Sequence, residues 1–443
     1  MLTKNQDCVL TVTDMNNRGY GVARLDGRVV FVSDGVTGDT VEARIIKVAS
    51  DYAVAKTTRV VTPSPHRVPS DCEVFGKCGG CAYRHITRSY ELSLKEEMVK
   101  GAFRKQRLCA EIEPILTDGR VLGYRNKVQY PVGEDGTLGY YARHSHRIVP
   151  SDTCLLTDPA LTPLAAFASD YIRRSGAKVK HVYLRRGAAT GDAMLCFVSP
   201  SAVLPDEEAM VREAIERFPN LKSILVNIHP EETNVILGKT VRVLYGTDGI
   251  EDILCDCRFF LSSQAFYQVN RGGAELLYRE AIARALACRP KKVADLYCGA
   301  GTIGISLAKA APEVEVVGVE IVPQAVENAI GNAARNGIVN AAFLCADAMA
   351  APLDDVDCIL LDPPRKGLSE ELLARLCRLS PKKIVYVSCE PTTLARDAAV
   401  LIAAGYRMGT VRPVDLFPRT GAVECVTDFV KEKESKNEAN ACV

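Results

Sequence analysis

Cys389 lies in the phrase Val387-Ser388-Cys389-Glu390-Pro391. The apolar run ahead of it, Lys383-Ile384-Val385-Tyr386, has the pattern of a buried strand. The residues after it read as a helix that starts at Pro391 and stops at Gly405. A thiol is therefore expected where a parallel strand gives way to a helix, the end at which open α/β sheets bind ligands. A thiolate is a strong nucleophile once its pKa is lowered, and a helix N-terminus is expected to lower it. Asp362, in Leu361-Asp362-Pro363-Pro364-Arg365-Lys366-Gly367, ends the preceding apolar strand and is the third acid of the group. Glu424, in Gly421-Ala422-Val423-Glu424-Cys425-Val426, begins a late strand and is the candidate base. One Cys and one carboxylate beside a methyl donor suit a particular reaction. Carbon 5 of a pyrimidine becomes nucleophilic only after a thiolate adds at carbon 6, and a base must then remove the carbon-5 proton.

The methyl donor has its own residues. Asp295-Leu296-Tyr297-Cys298-Gly299-Ala300-Gly301-Thr302-Ile303-Gly304 carries a G-x-G-x-x-G spacing after an apolar strand. Such glycines let a ligand approach backbone N–H groups at a helix start. The next strand ends in Glu320, placed to hold two ribose hydroxyls. A nicotinamide dinucleotide is the generic reading of that spacing. Asp295 just ahead of the glycines, and Asp347 after the third strand where an adenine amino group would lie, favour S-adenosylmethionine.

Three thiols fall within ten residues in Cys72-x5-Cys78-Gly79-Gly80-Cys81. Iron–sulfur clusters and zinc both take four cysteines, and Cys154 is the best candidate for the fourth. The spacing is not the C-x3-C-x2-C of radical S-adenosylmethionine enzymes. The chain has 17 cysteines, and most of the rest lie in apolar runs where a thiol packs as a small hydrophobe.

The elements that must position these groups follow from the pattern along the 443 residues. Residues 1–62 read as short alternating strands between Gly and Asp turns, five in number, suggesting an OB-like β-barrel. Residues 63–285 open with a Pro-marked linker and the cysteine cluster, continue with a basic amphipathic helix near 89–107, and then mix strands and helices in an α+β domain. Residues 286–443 alternate strand and helix, with strands at 292–296, 314–320, 342–344, 358–361 and 384–388. That is a doubly wound, Rossmann-like α/β sheet. Net charge is +1, so nucleic acid could be met only by a local patch. No apolar run approaches 18 residues and the N-terminus lacks the apolar core of a signal peptide, so a cytoplasmic location without membrane contact is expected.

These phrases, with Gly123-Tyr124-Arg125-Asn126-Lys127, Ser145-His146-Arg147-Ile148-Val149 and Phe266-Tyr267-Gln268-Val269-Asn270, run through residues 65–430 in the order found in the RumA/TrmA family of RNA uracil-5-methyltransferases, which the chain resembles. The N-terminal unit resembles a TRAM domain, which RumA-type enzymes carry. The resemblance implies a class I methyltransferase domain and a [4Fe-4S] cluster on Cys72, Cys78, Cys81 and Cys154. It implies cofactor contacts from Gln268, Tyr297, Gly299, Gly301, Thr302, Glu320, Asp347 and Asp362. It implies Cys389 as nucleophile, Glu424 as proton acceptor, a monomer, and a looped-out or flipped uridine of 23S rRNA as substrate. Thr302 and Glu390 stand where the family usually has Asn, and the His often found two residues before the base is Ala422.

A paired uracil cannot reach a buried thiol, so the target must leave its stack. Residues 84–107 hold seven Lys/Arg against three acids, and Arg125, Lys127, Arg143, His144, His146 and Arg147 form a second basic group near Tyr140 and Tyr141. These are the expected phosphate and base contacts. Two rivals remain at this point: a methyltransferase acting on another atom, for which a nucleophilic Cys is superfluous, and an RNA-binding assembly factor with a vestigial site.

Overall fold

A computed structural model describes residues 2–151 and 153–431. The chain forms two compact units, each drawn from separated stretches. The first holds Met1–Met98, Thr117–Leu276 and Asp415–Val423; the second holds Val99–Leu116, Leu277–Val414 and the chain from Glu424 onward.

In the first unit, six strands form the N-terminal sheet: β1 (Asp7–Thr11), β2 (Asp14–Met15), β3 (Tyr20–Leu25), β4 (Arg28–Ser33), β5 (Thr40–Val48) and β6 (Tyr52–Thr62). Their order is β1-β5-β6-β4-β3-β2, so the path begins and ends on strands that are consecutive in the chain. That continuity curls the sheet on itself as a barrel does. Inward residues recur at every second position, as in Val30 and Val32 or Val41, Ala43 and Ile45, and make a small apolar core. Six strands therefore replace the five expected, because the run after β1 bends at Val12-Thr13 and leaves β5 for β3.

Helix α1 (Arg88–Lys105) follows the cysteine loop. Next come β7 (Lys127–Pro131), a ribbon of β8 (Gly139–Tyr141) and β9 (Ile148–Pro150), α2 (Thr162–Ser175), β10 (His181–Arg186), β11 (Ala193–Ser199), α3 (Glu207–Arg217), β12 (Leu221–Ile228) and β13 (Thr240–Gly246). The central sheet has the order β13-β12-β11-β10-β7. Leu164, Phe167, Tyr171 and Met210 from α2 and α3 pack in one core with its strands. A hairpin of β14 (Gly249–Leu254) and β15 (Cys257–Ser262) leads to α4 (Arg271–Leu286).

The basic stretch at α1 is divided: Arg104, Lys105 and Arg107 are exposed, whereas its first half is paired. Within the first unit, Lys95 and Glu91 are fully buried, and Lys95 bonds Asp415 at 2.5 Å. Arg88 pairs with Glu91 and Asp415, and the Arg419 backbone N–H donates to Glu91 at 2.6 Å. The partner of Lys95 lies 320 residues further along, which no local pattern reveals.

The second unit is a doubly wound sheet. Its strands are β16 (Lys292–Leu296), β17 (Glu315–Glu320), β18 (Ala341–Cys345), β19 (Cys358–Leu361), β20 (Lys383–Ser388), β21 (Tyr406–Met408), β22 (Arg412–Val414) and β23 (Glu424–Lys431), and its helices are α5 (Thr302–Ala310), α6 (Pro323–Arg335), α7 (Glu370–Leu379) and α8 (Pro391–Ala403). The order is β18-β17-β16-β19-β20-β23-β21, with β22 also on β23. The first five strands in this order are parallel, and β23 enters antiparallel beside β20. Parallel strands are buried on both faces, which is why they appear in the sequence as unbroken apolar runs. The chain leaves β16 toward β17 on one side and returns to β19 on the other, so the strand order reverses at the carboxyl end of β16, where such sheets open a crevice.

Candidate active site

The turn after β16 is built to bring backbone close to a ligand. Tyr297, a non-glycine residue, sits at φ +65°, with Gly299 at +54° and Gly301 at +79°. A side chain in that region is strained, and such strain collects at ligand sites. At Gly301 a Cβ would lie 2.9 Å from Ile305 and 3.0 Å from Phe343, so packing as well as φ requires glycine there. Asp295 is buried at the end of β16, and its Oδ2 accepts the Gly304 N–H at 2.9 Å. Its Oδ1 is buried with no partner. Burial, with Asp362 and Glu320 nearby, pushes the Asp295 carboxyl up to about 8.

Beside this turn is a cavity of about 450 Å³ lined by Tyr297, Glu320, Asp347, Pro364, Lys366 and Gly367, among others. That is within the size range of small-ligand and cofactor sites. Glu320 accepts the Gly299 N–H at 3.2 Å and the Val322 N–H at 2.9 Å. Asp347 caps a short 3₁₀ turn by accepting the Met349 N–H at 2.8 Å. Tyr297, Glu320 and Asp347 are thus gathered by one cavity. Thr302 begins α5, and its hydroxyl lies 3.4 Å from the Tyr278 hydroxyl.

The end of the β20–β23 ladder brings two candidate residues near each other. Ser388 of β20 stands opposite Cys425 of the antiparallel strand β23. Cys389 directly follows Ser388 and Glu424 directly precedes Cys425, and the Glu424 charge acts on the Cys389 thiol. Glu424 is 4% exposed. Burial and the Asp362 charge push its carboxyl up to about 8, against the opposing pull of Arg365. Burial likewise raises Asp362 to about 7.

The thiol departs from expectation. Cys389 is pushed up to about 11, by burial first and then by the charges of Glu424 and Asp362, with Arg365 opposing. The helix start does not outweigh burial and these two charges; at the cap itself the Glu390 carboxylate accepts the Thr392 N–H at 3.3 Å. Cys389 therefore rests as a thiol, beside carboxyl groups that are themselves reluctant to ionise. Such a cluster favours a bound cation, which would ease the ionisation of all its members.

Comparison with known proteins gives this geometry a family. A TRAM domain profile matches residues 4–58, and a methyltransferase domain profile matches residues 289–405. RNA methyltransferases, themselves called uncharacterised, of Gloeobacter violaceus and Listeria monocytogenes are similar to this chain. The first is 39% identical with 96% of each chain covered; the second is 38% identical with 96% of this chain and 98% of its own covered. The tRNA (uracil-54, C5)-methyltransferase of Pyrococcus abyssi, solved with S-adenosyl-L-homocysteine, superposes with a TM-score of 0.80 at 27% identity, over 95% of this chain and 99% of that one. The chain belongs to the RumA/TrmA family of RNA methyltransferases. It is an S-adenosylmethionine-dependent RNA methyltransferase.

The methyltransferase places its other expected site residues less simply. Gln268 lies in the first unit, where its backbone carbonyl accepts from Asn126 at 3.1 Å and its side chain is buried. Cys72, Cys78, Cys81 and Cys154 are free, half-buried thiols. Among the described residues, no three His, Cys, Asp or Glu side chains are gathered closely enough for a metal ion, so the expected ligand set is not seen assembled. The thiols nevertheless bear on one another: the charges of Cys154 and Cys72 push Cys78 up, and that of Cys154 pushes Cys81 up, in each case after the larger effect of burial. Arg84 and Arg125 oppose the rise at Cys81.

The second basic group is also divided. His144, His146 and Arg147 are exposed, whereas Arg125 and Lys127 are half-buried. Burial, with Arg185 and Arg125 close by, pulls Lys127 down to about 8. Arg143 lies 5.4 Å over the Tyr20 ring, and the Tyr20 hydroxyl is 3.3 Å from His144 Nε2. The sequence reading missed Tyr20, which has no basic neighbour pattern beyond Arg18. No helix among the described residues is long and apolar enough to cross a membrane.

Proposed function

We propose that this methyltransferase methylates carbon 5 of a uridine in 23S rRNA, with Cys389 as nucleophile and Glu424 as base. The observation that supports this reading is the end of the β20–β23 ladder at Ser388 and Cys425, beside which Cys389 and Glu424 follow, with the Glu424 charge acting on the Cys389 thiol. Both are electrostatically coupled to Asp362.

The cofactor supplies an electrophilic methyl group on a sulfonium. The Tyr297-to-Thr302 turn, Glu320, Asp347 and the loop after Asp362 are the groups to hold it, and Gln268 is proposed as a further contact. The Cys389 thiol passes its proton to Asp362, and the sulfur bonds carbon 6 of the uracil. With the cofactor held by these residues, its methyl group would pass to carbon 5 and its sulfur would keep the bonding electron pair. Glu424 removes the carbon-5 proton, the carbon–sulfur bond breaks, and the ring double bond re-forms. A positioned base of this kind is worth about 10²–10⁴-fold in rate. A looped-out or flipped uridine is the form of substrate that fits a buried thiol.

The four cysteines are proposed to hold a [4Fe-4S] cluster in a structural role. Cys78 feels the charges of Cys154 and Cys72, Cys81 that of Cys154, and Arg125 opposes both, a neighbourhood that suits an anionic thiolate-ligated group. Iron and sulfide analysis of protein purified without oxygen tests this, with four irons per chain expected and Cys154→Ser losing them.

A second reading has its own observation. The Pyrococcus abyssi tRNA (uracil-54, C5)-methyltransferase aligns with 95% of this chain, more than could be reached without the N-terminal barrel. A TRAM domain is therefore compatible with a tRNA substrate. The deciding experiment gives the enzyme carbon-5-tritiated 23S rRNA and tRNA transcripts with labelled cofactor. Tritium release with 5-methyluridine formation in the ribosomal transcript supports the proposal, and release from tRNA alone moves the substrate. Methyl incorporation without tritium release would refute the carbon-5 chemistry.

A further inference from the structure

Asp397 is a fully buried acid in α8 with no part in the chemistry above. Its Oδ2 accepts the Leu368 backbone N–H at 2.9 Å and the Tyr386 hydroxyl at 2.7 Å, while its Oδ1 accepts Arg396 Nε at 2.8 Å. Arg396 reaches further, donating to the Lys366 carbonyl at 3.0 Å and the Leu368 carbonyl at 3.1 Å. One turn earlier, the Thr393 hydroxyl donates to the Arg365 carbonyl at 3.1 Å and to the Glu390 carbonyl at 3.0 Å. Gly367, at φ +73°, lets the loop lie against these side chains. A Cβ there would come within 2.7 Å of both Asp397 Oδ2 and Arg396 Nη2.

What these bonds fasten is the loop of residues 362–368. It begins with Asp362, and Pro364, Lys366 and Gly367 of the same loop line the cofactor cavity. Helix α8 starts two residues after Cys389, and Tyr386 lies three residues before it in β20. One carboxylate thus ties together the cavity wall, the strand that delivers the nucleophile and the helix that follows it. All are in the second unit.

We propose that Asp397 is a positioning residue that sets the methyl-donor cavity in register with the Cys389 nucleophile, through the staple it forms with Arg396 and Thr393. The inference rests on the reading of Cys389 as nucleophile. Displacing reacting groups by about 1 Å can cost on the order of 10²-fold in rate even when binding survives.

The test compares Asp397→Ala, Asp397→Asn and Arg396→Met with the wild-type holoenzyme. Single-turnover methyl transfer is measured with RNA and cofactor both saturating. Asp397→Ala is expected to be slower by on the order of 10²-fold. Asp397→Asn, whose amide oxygen still accepts from Leu368 and Tyr386, should stay within about fivefold. Arg396 is half exposed, so Arg396→Met provides a folded variant should Asp397→Ala fail to fold, with a loss of roughly tenfold expected. A second readout needs no RNA: the pH profile of iodoacetamide alkylation at Cys389, mapped by peptide mass. Glu424, Asp362 and Arg365 are the charges that act on this thiol. Releasing the Asp362 loop should move the alkylation midpoint to lower pH in Asp397→Ala and Arg396→Met. If the wild type methylates no uridine yet the profile shifts, the staple stands and only the uracil chemistry falls. Wild-type alkylation profiles in both variants would overturn the proposal.

Discussion

Two sets of buried charge in this protein are resolved in opposite ways. In the first unit, Glu91, Lys95 and Asp415 are fully buried, but each meets an opposite charge, with Arg88 and Arg419 completing the network. In the second unit, Asp295, Asp362, Glu424 and the Cys389 thiol stand at the ends of four strands of one sheet, with Arg365 the cation acting on Cys389 and Glu424, and every one of the four is pushed upward in pKa. The paired set anchors a helix to a distant loop. The unpaired set costs stability and persists where chemistry is expected. Burial of charge alone does not mark a site; burial of charge without a partner does.

The sharpest way to break this contrast is at the nucleophile. Cys389→Ala should abolish methyl transfer, by about 10³-fold or more in single turnover. Glu424→Gln should reduce turnover by about 10²–10⁴-fold yet accumulate a covalent protein–RNA species, seen as a denaturant-resistant band on gels. That band should be absent in Cys389→Ala. The pH dependence follows from the same base: Glu424 must be ionised to act, so kcat/KM should climb as pH rises toward about 8.

Breaking the paired set should instead strike stability. Glu91→Ala strips Lys95 and Arg88 of one partner and should lower unfolding free energy by about 3–5 kcal/mol, measured by denaturant titration. The unpaired set should respond with the opposite sign. Glu424 titrates near 8 in the folded chain, above its ordinary value of 4.5, so its ionisation opposes folding increasingly as pH rises between these two values. Glu424→Gln should therefore raise the melting temperature at pH 8, by the equivalent of about 1–2 kcal/mol, and the gain should vanish near pH 5. The smallest effect belongs to exposed charge. Arg147→Ala should weaken RNA binding a few-fold and reduce the salt dependence of binding by about one unit of slope.

The strands of the second unit were legible because parallel strands are apolar throughout, and Cys389, Asp362 and Glu424 were found because each stands at a strand end. Their pairing was not legible, since register between β20 and β23 depends on how the chain returns after Val414. The direction of the thiol shift was misjudged because burial and the Glu424 and Asp362 charges, which only the fold gathers, outweigh the helix start. That Arg88 and Lys95 of the basic run are paired was not legible, because their partner Asp415 is far away in sequence. Asp397 was invisible for a related reason: along the chain it is one acid in a helix beside Arg396, and only the fold brings Leu368 and Tyr386 to it.

The placement of β23 has a consequence for the order in which the molecule is made. This strand follows every other strand of its sheet in the chain, yet it lies in the interior of the sheet, between β20 and β21. Until it arrives, β20 has no neighbour on that side and the sheet must keep a slot open. Closing such a slot requires contacts between segments far apart in sequence, a slow step in folding. Glu424 is the first residue of the strand that fills it. A growing chain thus carries Cys389 well before Glu424; on the mechanism proposed above, the capacity to release a methylated nucleotide would arise only as the sheet is sealed.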